Sequence, residues 1–207
     1  MVQLTLLEAF ESGRLDKVEL FREHVIELSK NESFIHHEWF VDYHLKIVEQ
    51  IATELCEKYP DADKTLIKIL VWLHDYGKII NFPNQYETTL TRGSAKLLEL
   101  GFEKSFVEKT INYVKIMDSK QELDKAPLEV QIISSADGAA HLIGPFYFLW
   151  WYENPNKEFA QLMEDNKLKA LKDWNKKIVL QEVREAFQKR HEHLLEKCGE
   201  FPKKFLV

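Results

Sequence analysis

Apolar residues recur at helical spacing along nearly the whole chain. Between Asp16 and Lys30, the residues Val18, Phe21, Val25 and Leu28 fall on one stripe. From Phe40 to Lys58 the spacing repeats with Val41, Leu45, Val48, Ile51, Ala52 and Leu55, and Pro60 ends the run. Asp61 or Asp63 is placed to cap the next helix, predicted over 64–76 and ending at Gly77. Pro83 marks 81–86 as a loop. Further helices are predicted over 91–100, with Gly101 just past the end, and over 104–117. Another starts with Pro127 in its first turn and runs to Leu142, before Gly144-Pro145 breaks it. Beyond an aromatic run over 146–152, Leu168, Leu171, Trp174, Ile178, Val183, Phe187 and Leu194 predict one long amphipathic helix over 166–197. No segment alternates like a strand, and no repeat or low-complexity linker is present. The pattern predicts an all-α bundle forming a single domain. An N-terminal helical segment (1–33) precedes a core (34–144), and a C-terminal helical elaboration (145–207) packs on that core.

Composition adds bounds. Apolar residues make up 45% and charged residues 30% of 207, as in an ordinary globular protein, and 13 Phe with 5 Trp can fill a sizeable core. A formal net charge of −6 argues against a general nucleic-acid binder, so no nucleic-acid duplex is expected as a partner. A small phosphorylated substrate stays compatible, because a bound metal reverses the local field. Cys56 and Cys198 could form one bridge, but nothing marks a disulfide framework. No run approaches the roughly 20 apolar residues of a membrane span. The opening residues lack the basic and apolar regions of a signal peptide. A cytoplasmic protein without membrane partners is expected.

Four ionisable residues interrupt the apolar faces. His44 has Val41, Val48 and Ile51 on its side of the helix, and His74 has Ile67, Leu70 and Val71. Asp75 follows His74 near a predicted helix end, where the helix dipole disfavours negative charge, so it needs a partner. Asp137 has Ile133 and Ala140 on its face. A lone inward histidine is usually a satisfied core residue. Two imidazoles and two carboxylates directed inward from three helices are instead the donor set of a metal site in a helical bundle. Without thiolate, that set suits one divalent ion of Mn, Fe, Co or Ni, with Mg as a less favoured choice.

The order His44…His74-Asp75…Asp137, with the string His74-Asp75-Tyr76-Gly77-Lys78, resembles the HD-domain family of metal-dependent phosphohydrolases over about 34–142. The resemblance implies an all-helical HD-domain bundle in which His44, His74, Asp75 and Asp137 hold the metal. It implies hydrolysis of a phosphate ester of a nucleotide or another small phosphorylated metabolite. A metal-acidified water would be the nucleophile, which gives Asp75 a catalytic part. Lys78 would face the substrate phosphate and offset developing charge, and otherwise reads as a helix-end lysine favoured by the dipole. Two-metal members carry further histidines between the HD pair and the last aspartate. This chain has none from Tyr76 to Ala140, which favours a mononuclear site. The alternative is a catalytically degenerate module that keeps metal or ligand binding.

Further residues carry weaker expectations. His36 and His37 are candidates for contact with substrate at the entrance of the His44 helix, and Arg92 for clamping phosphate. Glu87 is a candidate acid in the loop after the HD pair. His141 shares a helix face with Asp137 and reads as a core histidine, with a place beside the site as the alternative. The aromatics of 146–152 read as core or as a surface for a homodimer, and less readily as a stacking platform. His191 and His193 are expected to face solvent.

Overall fold

The computed structural model describes residues 16–204 and Leu206, and among them there is no strand. Helix α1 (Lys17–Ser29) starts at Asp16, whose carboxylate accepts from the Glu19 N–H. A π-helical turn at Val41–Leu45 leads into α2 (Lys46–Lys58). Asp63 rather than Asp61 caps α3 (Lys64–Leu73), accepting from the Leu66 N–H at 3.0 Å. Short helices α4 (Tyr76–Ile80), α5 (Gln85–Thr88) and α6 (Ser94–Glu99) follow. Next come α7 (Lys104–Ser119) and α8 (Leu128–Ala140). The chain continues through α9 (Phe146–Glu153), α10 (Phe159–Lys172), a π-helical turn at Asp173–Lys177, and α11 (Gln181–Lys197).

Helices α3 and α8 form the centre. Along α3, Leu66, Ile67, Ile69, Leu70, Val71, Trp72 and Leu73 are all buried, and α8 is buried from Ile132 to Ala140. Helix α8 packs against α2, α3 and α7, and α1 closes over α3. Arg22 of α1 and Trp72 of α3 both bond Glu49 of α2, at 3.1 and 2.8 Å, so one carboxylate ties three helices together. No helix among the described residues is long and apolar enough to cross a membrane. Cys56 and Cys198 are both buried and free.

The structure corrects several local expectations. The helix predicted over 64–76 ends at Leu73; the backbone bends at Asp75 (φ −112°, ψ 13°) and α4 begins at Tyr76. Gly77 therefore lies inside α4. A Cβ there would come within 2.0 Å of the Gln85 carbonyl oxygen, so glycine is required by close backbone approach rather than as a helix terminator. The loop predicted over 81–86 is a 3₁₀ turn at Phe82–Asn84 running into α5, with Pro83 in the first turn where no N–H is needed. Gly101, at φ +78°, does close α6: its own N–H bonds Leu98 and the Phe102 N–H bonds Leu97. The single helix predicted over 166–197 is interrupted at 178–180. There Ser135 Oγ accepts from the N–H groups of Val179 and Leu180, at 3.0 and 3.1 Å, in place of intrahelical carbonyls. Ser134 Oγ bonds the Lys177 carbonyl. Gly138 lets this segment settle onto α8, since a Cβ at 138 would lie 2.8 Å from Ile178.

Candidate metal centre

Local irregularities aim three of the four centre residues, and a regular helix face aims the fourth. His44 lies in the π-helical turn, whose i→i−5 bond from the Lys46 N–H to the Val41 carbonyl carries His44 inward. His74 is the cap residue after α3, and Asp75 is the bend that follows. Asp137 comes from the buried face of α8. These four, from three parts of the chain, converge. His44 Nε2 lies 3.5 Å from Asp75 Oδ2 and 3.8 Å from Asp137 Oδ1. His74 Nε2 lies 3.6 and 4.0 Å from the same two oxygens.

None of these separations is a hydrogen bond. His44 Nε2 and His74 Nε2 are buried and have no hydrogen-bond partner among the described residues. Orphaned imidazole nitrogens facing two carboxylates are costly unless something else fills the gap. Donors about 2.1 Å from one ion are about 3.0 Å apart when adjacent and about 4.2 Å apart when opposite, a range that contains all four distances. His74 Nδ1 donates to the Val71 carbonyl at 2.8 Å, which leaves the Nε2 lone pair directed at the carboxylates. The residues present fit a divalent cation.

The electrostatics agree. Burial pushes the Asp75 carboxyl up, but Lys78, His74 and His44 overcome this and hold it well below the usual range. Burial likewise opposes Asp137 ionisation, and Lys177 with His141, His74 and His44 reverses it. His44 is shifted down by burial, against the pull of Asp75 and Asp137. Lys78 Nζ reaches Asp75 Oδ2 at 2.5 Å, and this is the partner that the bend carboxylate requires. Lys177 Nζ reaches Asp137 Oδ2 at 2.6 Å.

The centre forms the floor of a cavity of about 750 Å³. His36 lines it, with Nδ1 2.7 Å from Glu153 Oε1, an oxygen that also accepts from Trp39 Nε1 at 2.6 Å. Trp39, Phe40, Phe82, Phe146, Tyr147 and Trp150 supply an aromatic wall. Lys120, Lys157, Lys169, Lys172 and Lys177 join Lys78 as cationic lining. Of the other sequence candidates, His37 turns to the Phe34 carbonyl, and the exposed Arg92 and Glu87 do not line the cavity. The aromatic run forms α9, with Tyr147 buried while Phe148 and Tyr152 are exposed. Contrary to expectation, His191 is buried, stacked on Trp174 with centroids 4.3 Å apart; His193 is exposed.

Behind Asp137 stands a group of which the sequence singled out only His141, as a core histidine with a place beside the site as the alternative. His141 is buried, with Nε2 3.4 Å from Asp137 Oδ1 and Nδ1 2.8 Å from Asp173 Oδ2. Lys169 also bonds Asp173, and Lys177 Nζ lies 3.7 Å from its other oxygen. Burial and the neighbouring Lys169 push the His141 imidazolium down to about 3. Asp173 is held far below the usual carboxylate range: burial opposes this, and His141, Lys177 and Lys169 outweigh it. The i, i+4 spacing of Asp137 and His141 was visible in the sequence. The contribution of Lys169, Asp173 and Lys177 arises from packing between segments about 30–40 residues apart.

Residues 41–140 match the family model for the HD domain, a span that contains His44, His74, Asp75 and Asp137. No curated protein and no solved structure matches the chain. The helical architecture and the buried histidine–aspartate cluster lie together in that span, 100 of the 207 residues, and both are compatible with the HD domain it matches.

Proposed function

We propose that this protein is a mononuclear metal-dependent phosphohydrolase acting on a phosphate ester of a nucleotide or another small phosphorylated metabolite. HD-domain proteins are largely metal-dependent hydrolases. The observation that carries the reading is the pair of buried, unpartnered Nε2 atoms of His44 and His74 facing Asp75 and Asp137 at the floor of a cavity. His44, His74, Asp75 and Asp137 would hold one divalent ion, which when bound would polarise the phosphoryl group and acidify a water. Val71 orients His74 through its Nδ1–H. Lys78 lines the cavity beside the centre, 2.5 Å from Asp75, and supplies positive charge to phosphoryl oxygens. The aromatic wall holds the organic part of the substrate and excludes water. Met117 and Val114 line the cavity without offering donors of the usual metal-site kind, consistent with a single ion.

The test is metal content by mass spectrometry on natively purified protein, with His74→Ala combined with Asp75→Ala as the control. About one transition metal per chain, absent in the double variant, is the expected result and justifies a phosphatase screen over nucleotides and phosphosugars. Lys78→Gln should keep the metal and lose turnover by about 10²–10³-fold. Failure to take up Mn, Co or Ni would overturn the hydrolase reading. Full metal occupancy with no hydrolysis across the screen would leave a binding module.

A further inference from the structure

We propose that His141 is a fifth protein donor to the metal centre and that Asp173 is the positioning residue that aims it. The inference rests on the metal-centre reading above and adds to its ligand set.

Among the described residues, two groups have donor atoms all within 4.8 Å of one another: His44 with His74 and Asp75, and His44 with Asp137 and His141. The two groups share His44, and across them His74 Nε2 lies 4.0 Å from Asp137 Oδ1, which joins the five side chains in one cluster. The approach of His141 Nε2 to Asp137 Oδ1, 3.4 Å, falls in the same range as the other donor separations. The His141 ring lies nearly parallel to that of His44, at 13° with centroids 5.0 Å apart. Phe146 packs against it with centroids 3.9 Å apart and lies 5.9 Å from the His44 ring as well. Its orientation is therefore closely defined.

The tautomer follows from Asp173. A carboxylate only accepts hydrogen bonds, so the 2.8 Å contact with Asp173 Oδ2 places the proton of a neutral ring on Nδ1. Lys169 Nζ stands 2.9 Å from the same nitrogen and bonds the same Asp173 oxygen, and a proton on Nδ1 is the arrangement in which imidazole and ammonium both donate to that carboxylate. The Nε2 lone pair then points to the centre. This carboxylate–imidazole arrangement is how ligating histidines are commonly fixed. It also accounts for a charge cluster that would otherwise be hard to explain. Asp173, 1% exposed, is ringed by Lys169, Lys177, His141 and the Tyr147 hydroxyl, and such networks add little to stability.

The experiment uses Co²⁺ as the probe on the full chain. In the proton NMR spectrum of the cobalt-loaded protein, each ligating imidazole with its other nitrogen protonated gives one exchangeable, strongly shifted N–H resonance. Three such resonances are expected, from His44, His74 and His141. His141→Phe preserves ring packing and should remove one of them and weaken Co²⁺ binding by about 10–100-fold. Asp173→Asn should keep three resonances, displace that of His141 and weaken binding by about 10-fold. Two resonances in the wild type overturn the inference while leaving the metal reading intact, even where a variant fails to fold. Unchanged Co²⁺ affinity in a folded His141→Phe protein also overturns it. A wild type that binds no Co²⁺ overturns both.

Discussion

Lys177 Nζ lies 2.6 Å from Asp137 Oδ2, joining residues 40 positions apart in the chain. The pair is nearly closed to solvent, with side-chain exposures of 16% and 9%. Burial favours the neutral amine, yet Asp137 and Asp173 raise Lys177 above the ordinary lysine value. The lysine thus supplies a fixed positive charge on one oxygen of Asp137 and leaves Oδ1 toward the imidazoles.

Removing that charge should expose its role. Lys177→Met leaves Asp137 buried without its counterion and should destabilise the metal-free protein by about 3–5 kcal/mol. Mn²⁺ should restore part of the loss, because the ion neutralises the same carboxylate. Urea unfolding with and without Mn²⁺ measures both quantities. A loss below about 1 kcal/mol, as for an exposed pair, would contradict this account.

The hinge at 178–180 depends on one hydroxyl. Ser135→Ala removes the acceptor of one buried and one partly buried N–H group and should cost about 1–3 kcal/mol. Hydrogen exchange should accelerate at Val179 and Leu180 before it does elsewhere. Unaltered protection at both amides would show that another acceptor takes over.

Two glycines should respond differently to the same change. Gly77→Ala places a methyl group 2.0 Å from a backbone oxygen and 2.5 Å from the Thr89 nitrogen, neither of which can swing aside. The cost should reach or exceed the upper end of overpacking, about 3 kcal/mol. Gly101→Ala meets only the flexible end of Lys17 at 3.4 Å, so its cost is the left-handed backbone alone, about 1–2 kcal/mol. Thermal or urea unfolding of the two variants should rank them in that order, and the reverse order would refute the packing argument.

Acid should destabilise the metal-free protein in two stages. Burial holds His36, His44 and His141 below the ordinary histidine value, so the unfolded chain binds protons first as pH falls below about 6.5. Stability is lost progressively from there, for His141 down to about 3. Asp75 and Asp137 are depressed carboxylates; their contribution is present above about 3.9 and is lost as pH falls further. Urea midpoints across neutral to acid pH should therefore decline throughout. A rise between pH 7 and 5 would show that the buried histidines are charged in the folded state.

The relation between chain and structure differs from element to element. The α-helical class and most helix positions were legible because apolar stripes at helical spacing, Asp63 as a cap and Gly101 as a terminator act within a few residues. The inward direction of His44, His74 and Asp137 was legible for the same reason: each shares a helix face with aliphatic neighbours. Chemistry close in sequence was legible in part: Asp75 reads as needing a partner, and the structure supplies Lys78 at i+3, which by sequence reads as facing phosphate or as a helix-end lysine. Tertiary packing decided the rest. Gly77 reads locally as a helix end, but it is required by a backbone 8–12 residues away, which no local rule encodes. The stripe over 166–197 reads as one helix because its period survives the interruption that Ser135 imposes from α8. His141, Asp173, Lys169 and Lys177 are each unremarkable in their own segments. Only when Gly138 lets the 177–180 segment settle on α8 do their charges meet behind Asp137. Periodicity reports which way a side chain points, but it does not report which side chain from a distant segment will be there to meet it.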